Sequence, residues 1–165
     1  MKPAIRVGIG FDFHPFTEGR ELFLGGVGIP HQRGLGGHSD ADVLLHAVID
    51  ALLGAVGLGD IGTHFPDTDP QYEGVSSLSL LEHAVGLVQK KAWAVGNVDA
   101  IVVAEEPQIA PHRDAIRSTL CRVLQISPDE INIKATTMEG KGPIGRKEGI
   151  AAQAVILLHR TVVAS

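Results

Sequence analysis

The sequence predicts one α+β domain spanning residues 1–165, an α/β layer in which helices pack on one face of a four- to five-stranded mixed sheet. Three observations support this fold class. The length suits a single domain, strand-like and helix-like patterns alternate along the chain, and most of the 44% hydrophobic content is Ala, Val, Leu and Ile. Such small or branched side chains suit close packing of helices against a sheet.

The first predicted elements are a strand, a hairpin and a long helix. β-forming residues alternate from Arg6 to Phe16, which predicts a strand. Two short β-rich runs within residues 22–29 flank a Gly-Gly pair, which predicts a hairpin. The helical pattern of residues 39–56 begins at Ser39 or Asp40, and both residue types are favoured N-caps.

The remaining elements follow a loop over residues 57–74 that is rich in Gly, Asp and Pro. They are an amphipathic helix over 76–91, a strand over 94–104, a helix over 111–124, a single turn over 127–130, and strands over 131–138 and 150–159 separated by a Gly-rich loop. The last strand is apolar enough to lie in the centre of the sheet.

Charge and composition argue against several classes of protein. A net charge of −5 disfavours a nucleic-acid-binding surface, which needs clustered Lys and Arg. The sequence shows no apolar run long enough to cross a membrane, and Met1–Arg6 leads directly into a strand pattern, so we expect a bacterial cytoplasmic protein without a signal peptide. The single cysteine, Cys121, excludes an internal disulfide and is predicted to be a buried structural thiol.

A carboxylate and two imidazoles form the first candidate site. Asp12 and His14 are two residues apart in the predicted strand, so their side chains point to the same face. His46 lies on a polar stripe of the predicted helix with Asp42 and Asp50, either of which could orient its ring. One Asp and two His around an open fourth position is typical of a catalytic zinc site. The alternative is that these are unrelated polar groups of a strand and a helix.

Two further segments are ambiguous when they are considered alone. His38 and Ser39 precede the long helix, where they either cap it or bind an anion at its N-terminus. Residues 57–62 match G-x-G-x-x-G, but a helix precedes them where a dinucleotide site requires a strand, so a helix stop and tight loop is the better interpretation. Asp67 and Asp69 do not follow the spacing of a calcium loop and are typical of solvated turns.

Polar residues late in the chain are compatible with phosphate binding. The segment Lys134–Glu139 combines a lysine, two hydroxyl groups and a carboxylate near a strand end, where they could hold phosphates and a hard cation. An edge strand with outward polar side chains is the simpler alternative. Arg146 and Glu148 are equally consistent with an ordinary surface ion pair.

Taken together and in this order, these motifs resemble one enzyme family. They are Gly10-Phe11-Asp12-Phe13-His14, His38-Ser39-Asp40-Ala41-Asp42, Gly59-Asp60-Ile61-Gly62, Phe65-Pro66-Asp67-Thr68-Asp69-Pro70 and Lys134-Ala135-Thr136-Thr137. The combination resembles the 2-C-methyl-D-erythritol 2,4-cyclodiphosphate synthases, over about residues 6–158.

The resemblance implies a phosphorus–oxygen lyase of the non-mevalonate isoprenoid pathway. Its substrate would be 4-diphosphocytidyl-2-C-methyl-D-erythritol 2-phosphate, and its products would be the 2,4-cyclodiphosphate and CMP. The family forms homotrimers with active sites between subunits. By the same resemblance, Asp12, His14 and His46 would hold zinc, and Glu139 would bind magnesium or manganese together with the substrate diphosphate.

The resemblance also implies a set of substrate contacts. His38 and Ser39 would face the methylerythritol phosphate, with His38 and Thr137 as catalytic residues that stabilise the transition state. Residues 60–62 would hold the ribose, and residues 104–110 would form the cytosine pocket. The other substrate-binding residues are Asp12, Phe13, His14, Asp60, Ile61, Gly62, Phe65, Pro66, Asp67, Thr68, Asp69, Ala104, Glu105, Glu106, Pro107, Gln108, Ile109, Ala110, Thr136, Met138, Glu139 and Arg146.

Two loops complete the implied site, and three positions depart from the family pattern. Residues 65–69 would close over the substrate, and residues 136–139 would face its diphosphate. Met138 stands where the family usually has a third Thr, and Gln108 replaces a common Lys. Residues 140–146 read Gly-Lys-Gly-Pro-Ile-Gly-Arg where the family usually has Lys-Leu-Gly-Phe-Thr-Gly-Arg.

The charge of that substrate suggests the mechanism. Its 2-phosphate is already anionic when it attacks the β-phosphorus, so no protein nucleophile or strong base is required. The barriers are repulsion between anions, which metal ions reduce, and the entropy of folding the substrate back on itself. Two other classes stay open, namely a zinc hydrolase of phosphate esters and a non-catalytic nucleotide-binding module built on residues 57–62.

Overall fold

The computed structural model describes residues 4–161 and confirms a mixed α+β fold with a five-stranded sheet. Along this part of the chain the elements are β1 (Ile5–Thr17), β2 (Leu22–Leu24), β3 (Val27–Ile29), β4 (Gly34–Leu35), α1 (Val43–Ala55), α2 (Ile61–His64), α3 (Ser77–Lys90), β5 (Trp93–Val103), α4 (Arg113–Leu124), β6 (Ile131–Thr136), α5 (Gly142–Gly145) and β7 (Gly149–Arg160). Short 3₁₀ turns precede α3, α4 and β6.

The main sheet has the strand order β4-β1-β7-β5-β6, so the apolar last strand is central as predicted. β5 and β6 are parallel, and the other neighbouring pairs are antiparallel. β2 and β3 form a separate hairpin, which confirms the prediction for residues 22–29. α1 packs against β1 and β7, while α3 contacts β5 and α4 contacts β6.

Strand pairing brings the C-terminal ends of β1, β5 and β6 to the same end of the sheet. His14 near the end of β1 is opposite Ile150 of β7. Val103 at the end of β5 is opposite Ala151 of β7 on one side and Thr136 of β6 on the other. The polar residues at or just after these strand ends therefore lie at the same end of the sheet, although they are far apart in sequence.

The two faces of β1 have opposite characters. Gly8 and Gly10 face α1, and a β-carbon on Gly10 would lie 1.9 Å from the Ala47 carbonyl oxygen, so glycine permits this close approach. Asp12 and His14 continue the same face because side chains alternate along a strand. The opposite face carries apolar side chains that are strongly exposed in the single chain, namely Ile5, Val7, Ile9, Phe11 and Phe13.

The long helix begins later than the sequence suggested. Its N-cap is Asp42, whose carboxylate accepts from the Leu45 N–H at 3.0 Å, so the assignment of Ser39 or Asp40 as N-cap is wrong. Ala41 has φ +57°, a left-handed conformation that a helix cannot continue through. Asp42 is fully buried and also accepts from the N–H groups of Gly25 and Gly26, which ties the hairpin to the start of α1.

Three other segments differ from the prediction. Residues 57–74 are not a continuous loop, because they contain α2 and a 3₁₀ turn at Pro70–Tyr72. The Gly-rich segment before β7 contains α5. β4 was not predicted, since a two-residue strand has too short a pattern to recognise. Over residues 4–161, no helix combines the length and the apolar character that crossing a membrane would require.

Candidate metal centre and substrate cavity

Three potential metal ligands converge where β1 and α1 meet. The Asp12 Oδ2 atom lies 2.9 Å from His14 Nε2 and 3.1 Å from His46 Nδ1, and these two nitrogens are 3.1 Å apart. Ligand atoms about 2.0–2.1 Å from a tetrahedral zinc ion lie about 3.3 Å apart. The spacing thus suits three ligands of one small ion, and it confirms that Asp12, His14 and His46 form a possible metal site.

The nitrogens that point away from this cluster are also hydrogen-bonded. His14 Nδ1 lies 2.7 Å from the Gly36 carbonyl oxygen, so this nitrogen carries the proton and Nε2 is left as an acceptor or ligand. His46 Nε2 lies 3.0 Å from Ser77 Oγ and 3.1 Å from Ser39 Oγ. Both rings are therefore held with one nitrogen directed at Asp12, as metal-binding histidines usually are.

The electrostatics of the cluster favour opposite charges on the Asp12 carboxylate and the His14 imidazole. Burial alone would raise the pKa of Asp12, but hydrogen bonds to His14 and His46 outweigh it and lower that pKa. Burial alone would lower the pKa of His14, but the hydrogen bond to Asp12 and its charge raise it. A cation held by the three groups would require an ionised carboxylate and one unprotonated nitrogen from each ring.

The aspartates expected to orient His46 have other partners. Asp42 caps α1, and the Asp50 carboxylate accepts from the Ile61 N–H at 2.7 Å, so it holds the start of α2 instead. Burial raises the pKa of Asp50. The suggestion that Asp42 or Asp50 binds the His46 ring is wrong, since the hydroxyls of Ser39 and Ser77 occupy that role.

A cavity of about 410 Å³ opens over the cluster. Many of the predicted site residues line it together with the three ligands. The lining residues are Asp12, His14, Gly37, His38, Ser39, His46, Ile61, Gly62, Phe65, Pro66, Asp67, Tyr72 and Leu80. The structure therefore assembles three sequence motifs, around positions 12, 38 and 62, about one concave site.

Local hydrogen bonds hold residues of the cavity lining. His38 Nε2 lies 3.2 Å from the Asp69 carbonyl oxygen, which links this lining residue to the loop of residues 65–69. Arg20, which was not predicted, donates to the carbonyl oxygens of Gly37 and Ser39. Arginine in a loop after a strand carries no pattern that could have indicated this role.

The loop with the FPDTDP motif is partly anchored. Phe65 is buried and its ring meets those of Tyr72 and His83 edge-on, at centroid distances of 5.4 and 5.3 Å. Asp60 caps α2 by accepting from the N–H and hydroxyl of Thr63, and these hydrogen bonds lower its pKa. Thr68 is exposed and lies outside the cavity lining, as do Asp60 and Asp69.

Phe13 and the later predicted residues lie elsewhere on this chain. Phe13 is on the face of β1 opposite the cluster and is 39% exposed. Among the residues that the structure describes, none of the predicted site residues from Ala104 onward lines the cavity. They form a second group at the ends of β5 and β6.

The second group is held together by backbone and carboxylate contacts. The Ala104 N–H donates to the Thr136 carbonyl oxygen at 3.0 Å, so residues 104–110 begin beside the end of β6. The Glu105 carboxylate accepts from the Met138 N–H at 2.7 Å. These contacts confirm that the two late segments, which the sequence could not connect by itself, are neighbours.

Glu106 anchors the same segment to other loops. Its carboxylate lies 2.9 Å from Lys147 Nζ, 3.2 Å from an Arg33 nitrogen and 3.4 Å from His31 Nε2. The hydrogen bonds to Lys147 and Arg33 lower the pKa of Glu106 in spite of its burial. The structure therefore gives Glu106 a clear role in fixing residues 104–110.

Among the remaining predicted residues of this group, Ile109 is buried and Pro107 is half-buried, whereas Gln108 and the residues near the end of β6 are exposed. Thr136, Thr137 and Glu139 are open to solvent, and the Glu139 N–H donates to Thr137 Oγ1 at 3.2 Å. Arg146 pairs with Glu148 at 2.6 Å, both on the surface, as expected for an ordinary ion pair. Their side chains are free of the core and available to a ligand or a second subunit.

Comparison with known proteins identifies the family. The YgbB family profile matches residues 5–159. A relative from Syntrophomonas wolfei subsp. wolfei, named 2-C-methyl-D-erythritol 2,4-cyclodiphosphate synthase, is 56% identical over 156 residues, which cover 94% of this chain and 99% of that protein.

Solved structures agree with this result. The bifunctional IspDF of Campylobacter jejuni superimposes with a TM-score of 0.91 at 43% identity, and the match covers 94% of this chain and 42% of that chain. IspF of Plasmodium falciparum, solved as a CDP complex, gives a TM-score of 0.85 at 37% identity and covers 98% of this chain and 100% of its own. This chain therefore belongs to the YgbB family, the family of the 2-C-methyl-D-erythritol 2,4-cyclodiphosphate synthases.

Proposed function

We propose that this chain converts 4-diphosphocytidyl-2-C-methyl-D-erythritol 2-phosphate to 2-C-methyl-D-erythritol 2,4-cyclodiphosphate and releases CMP. The observation that carries the proposal is the convergence of Asp12, His14 and His46 beneath a cavity that His38 and Ser39 also line. The geometry and the family point to the same chemistry. The bacterial cytoplasm stays the predicted location.

The ligand set fits zinc. Two imidazole nitrogens and one carboxylate oxygen at tetrahedral spacing, opening onto a cavity, correspond to a three-ligand catalytic site with a fourth position for substrate. Zinc bound there would supply positive charge to phosphate oxygens. Glu139 is exposed beside residues that we assign to the diphosphate, which suits a magnesium or manganese ion held jointly with substrate.

The residues around the cavity would bind and orient the two reacting phosphates. His38 and Ser39 line the cavity and would present an imidazole and a hydroxyl to the methylerythritol phosphate. An oxygen of the 2-phosphate then attacks the β-phosphorus, and the bond from that phosphorus to the oxygen of CMP breaks. CMP leaves with the electron pair, so the protein needs to hold the substrate folded rather than supply a nucleophile.

The nucleotide end is assigned to the outer residues. Asp60 and Gly62 would hold the ribose, and residues 104–110 would surround the cytosine, largely with backbone groups. Thr136 and Thr137 would face the diphosphate, with Thr137 as the second catalytic residue. The CDP complex of the Plasmodium falciparum protein supports a cytidine nucleotide as the ligand class.

We also propose a homotrimer with sites shared between subunits. Within the described part of one chain, residues 104–110 do not line the cavity, so a neighbouring subunit would complete each site. The apolar outer face of β1 supports association, because Val7, Ile9 and Phe11 are each 63% exposed in the isolated chain. Such a contiguous apolar face is unusual for a monomer.

The decisive experiment is incubation of the metal-loaded protein with the cytidylyl substrate. We expect CMP and a cyclic diphosphate by ³¹P NMR, and a chelator should abolish both until zinc and magnesium are added. The variant His46→Ala should lose stoichiometric zinc and at least about 100-fold in activity, because two ligands remain. Incorporation of ¹⁸O from water into a linear product would identify a hydrolase. Binding of a cytidine nucleotide without turnover would identify a binding module. Either result contradicts the proposal.

A further inference from the structure

His46 is connected to a carboxylate through a buried serine. Its Nε2 atom lies 3.0 Å from Ser77 Oγ, and Ser77 is fully buried. The hydroxyl of Ser77 also contacts the carboxylate of Asp40, while the Ser77 N–H donates to the second oxygen of that carboxylate at 3.0 Å. Asp40 and Ser77 are 37 positions apart in sequence, so this arrangement is a product of the fold.

Counting protons fixes the direction of each hydrogen bond. Both oxygens of Asp40 accept backbone N–H groups, from Ser77 and from Asp42, so the contact with Ser77 Oγ uses the hydroxyl proton of Ser77. Toward His46 the Ser77 oxygen can therefore only accept, which requires a proton on His46 Nε2. In a neutral ring the other nitrogen, Nδ1, is then unprotonated.

Nδ1 is the atom that faces the metal cluster. It lies 3.1 Å from Asp12 Oδ2 and 3.1 Å from His14 Nε2. Ser39 cannot set the same tautomer, because its hydroxyl proton has no carboxylate to which it is committed. Ser39 Oγ lies 3.1 Å from His46 Nε2, accepts from the Ala41 N–H and lies 3.4 Å from Ser77 Oγ, to which it can donate. Ser39 is therefore compatible with a proton on His46 Nε2 but does not require one.

We propose that Asp40 and Ser77 are positioning residues that hold His46 in the tautomer whose Nδ1 lone pair faces the metal. The inference rests on the proposed metal site, but it concerns the hydrogen bonds of the chain itself. Partners of this kind usually change metal affinity about 10- to 100-fold when they are removed. Since neither residue touches the metal, their effect acts through the His46 ring.

The test compares Ser77→Ala and Asp40→Ala with Ser76→Ala as a matched control. Ser76 is the adjacent residue and caps α3 through the Leu78 N–H, so its loss affects the helix end without touching His46. Nitrogen-15 NMR of the histidine rings in the metal-free protein reports the tautomer, and chelator competition reports the Kd for Zn²⁺. The full chain is used throughout.

For the wild-type protein and Ser76→Ala we expect the Nε2–H tautomer of His46 and the same Kd. Ser77→Ala should give a mixture of tautomers and a Kd about 10- to 100-fold higher. In Asp40→Ala the Ser77 hydroxyl loses its carboxylate acceptor, so its proton becomes available to His46 Nε2; the Nδ1–H tautomer should increase and the Kd should rise. This second variant keeps the test decisive if Ser77→Ala fails to fold.

The inference is overturned if Asp40→Ala retains the wild-type tautomer, or if both variants bind zinc with the wild-type Kd. Failure of the proposed function gives a different result. In that case the wild-type protein does not bind zinc or release CMP, yet His46 still shows the Nε2–H tautomer and Asp40→Ala still changes it.

Discussion

Glu106 is a carboxylate with three basic neighbours from distant parts of the chain. Lys147 is the nearest, and Arg33 and His31 complete the group. The hydrogen bond to Lys147 is the main reason that the pKa of Glu106 is below its ordinary value of 4.5. The folded protein thus holds this carboxylate in its charged form more strongly than the unfolded chain does.

This difference predicts a pH-dependent contribution to stability. Because the pKa is lower in the folded state, the stabilisation is fully present above about pH 4.5 and is lost as the pH falls through the folded pKa. Glu106→Gln should lower the free energy of unfolding by up to about 1 kcal/mol at pH 7, since the group is partly exposed. The difference in the free energy of unfolding between the wild type and Glu106→Gln, measured by urea unfolding, should shrink as the pH decreases.

Glu148→Gln is the control for that measurement. Glu148 pairs with Arg146, but both side chains are at least half exposed, so we expect a smaller effect of the substitution at pH 7. If the loss in the free energy of unfolding of Glu106→Gln stays constant as the pH falls, the effect of the substitution comes from packing rather than from charge.

At the scale of elements, β1 and α1 were predictable because their patterns are strong. β1 alternates between two distinct faces along 13 residues, and α1 is followed by a glycine stop. The start of α1 was not predictable, because the left-handed conformation of Ala41 is imposed by its surroundings rather than by residue type. Ser39 and Asp40 look like N-caps in sequence, but the fold uses both to support His46.

The close contact between β1 and α1 predicts that one added methyl group destabilises the protein at Gly10 but not at Gly54. In Gly10→Ala the new carbon would lie 1.9 Å from the Ala47 carbonyl oxygen, so β1 and α1 must separate. We expect a loss of more than about 3 kcal/mol in the free energy of unfolding, or failure to fold. Chemical denaturation measures the first outcome, and expression as soluble protein reports the second.

Gly54→Ala within α1 is the matched control. A β-carbon there would meet nothing within 4 Å, and Gly54 is exposed in the helix. Because alanine favours a helix more than glycine does, the free energy of unfolding of this variant should rise by about 0.5–1 kcal/mol. Wild-type stability of Gly10→Ala would show that β1 and α1 do not approach as closely as described.

At the scale of the whole molecule, the sequence located the residues of the possible metal site but could not connect the two groups of predicted site residues. Asp12 and His14 follow from the two-residue period of a strand, and His46 follows from a polar stripe on a helix. The adjacency of residues 104–110 and 136–139 depends on the parallel pairing of β5 with β6, which no local pattern encodes. Ser77 gave no signal, because a serine near a helix start usually indicates a cap.

The separation of the two groups predicts complementation between inactive subunits. One protein carries His46→Ala, which disables the metal half of the site. The other carries Thr137→Ala with Glu139→Ala, two exposed positions whose substitution leaves the core intact. In a cyclic trimer each subunit offers different halves to its two neighbours. If the two proteins are unfolded together and reassembled at equal concentration, random assortment gives about a quarter of the sites two intact halves.

We therefore expect the mixture to regain about a quarter of the wild-type CMP release, while each protein reassembled alone stays inactive. Native mass spectrometry provides the control, because it counts the mixed trimers directly. Activity of the mixture requires that residues 104–110 and 136–139 of a neighbour, rather than of the same chain, complete the cavity at Asp12, His14 and His46. Mixed trimers without activity would show that each site belongs to one subunit, and a failure to form trimers would refute the proposed assembly itself.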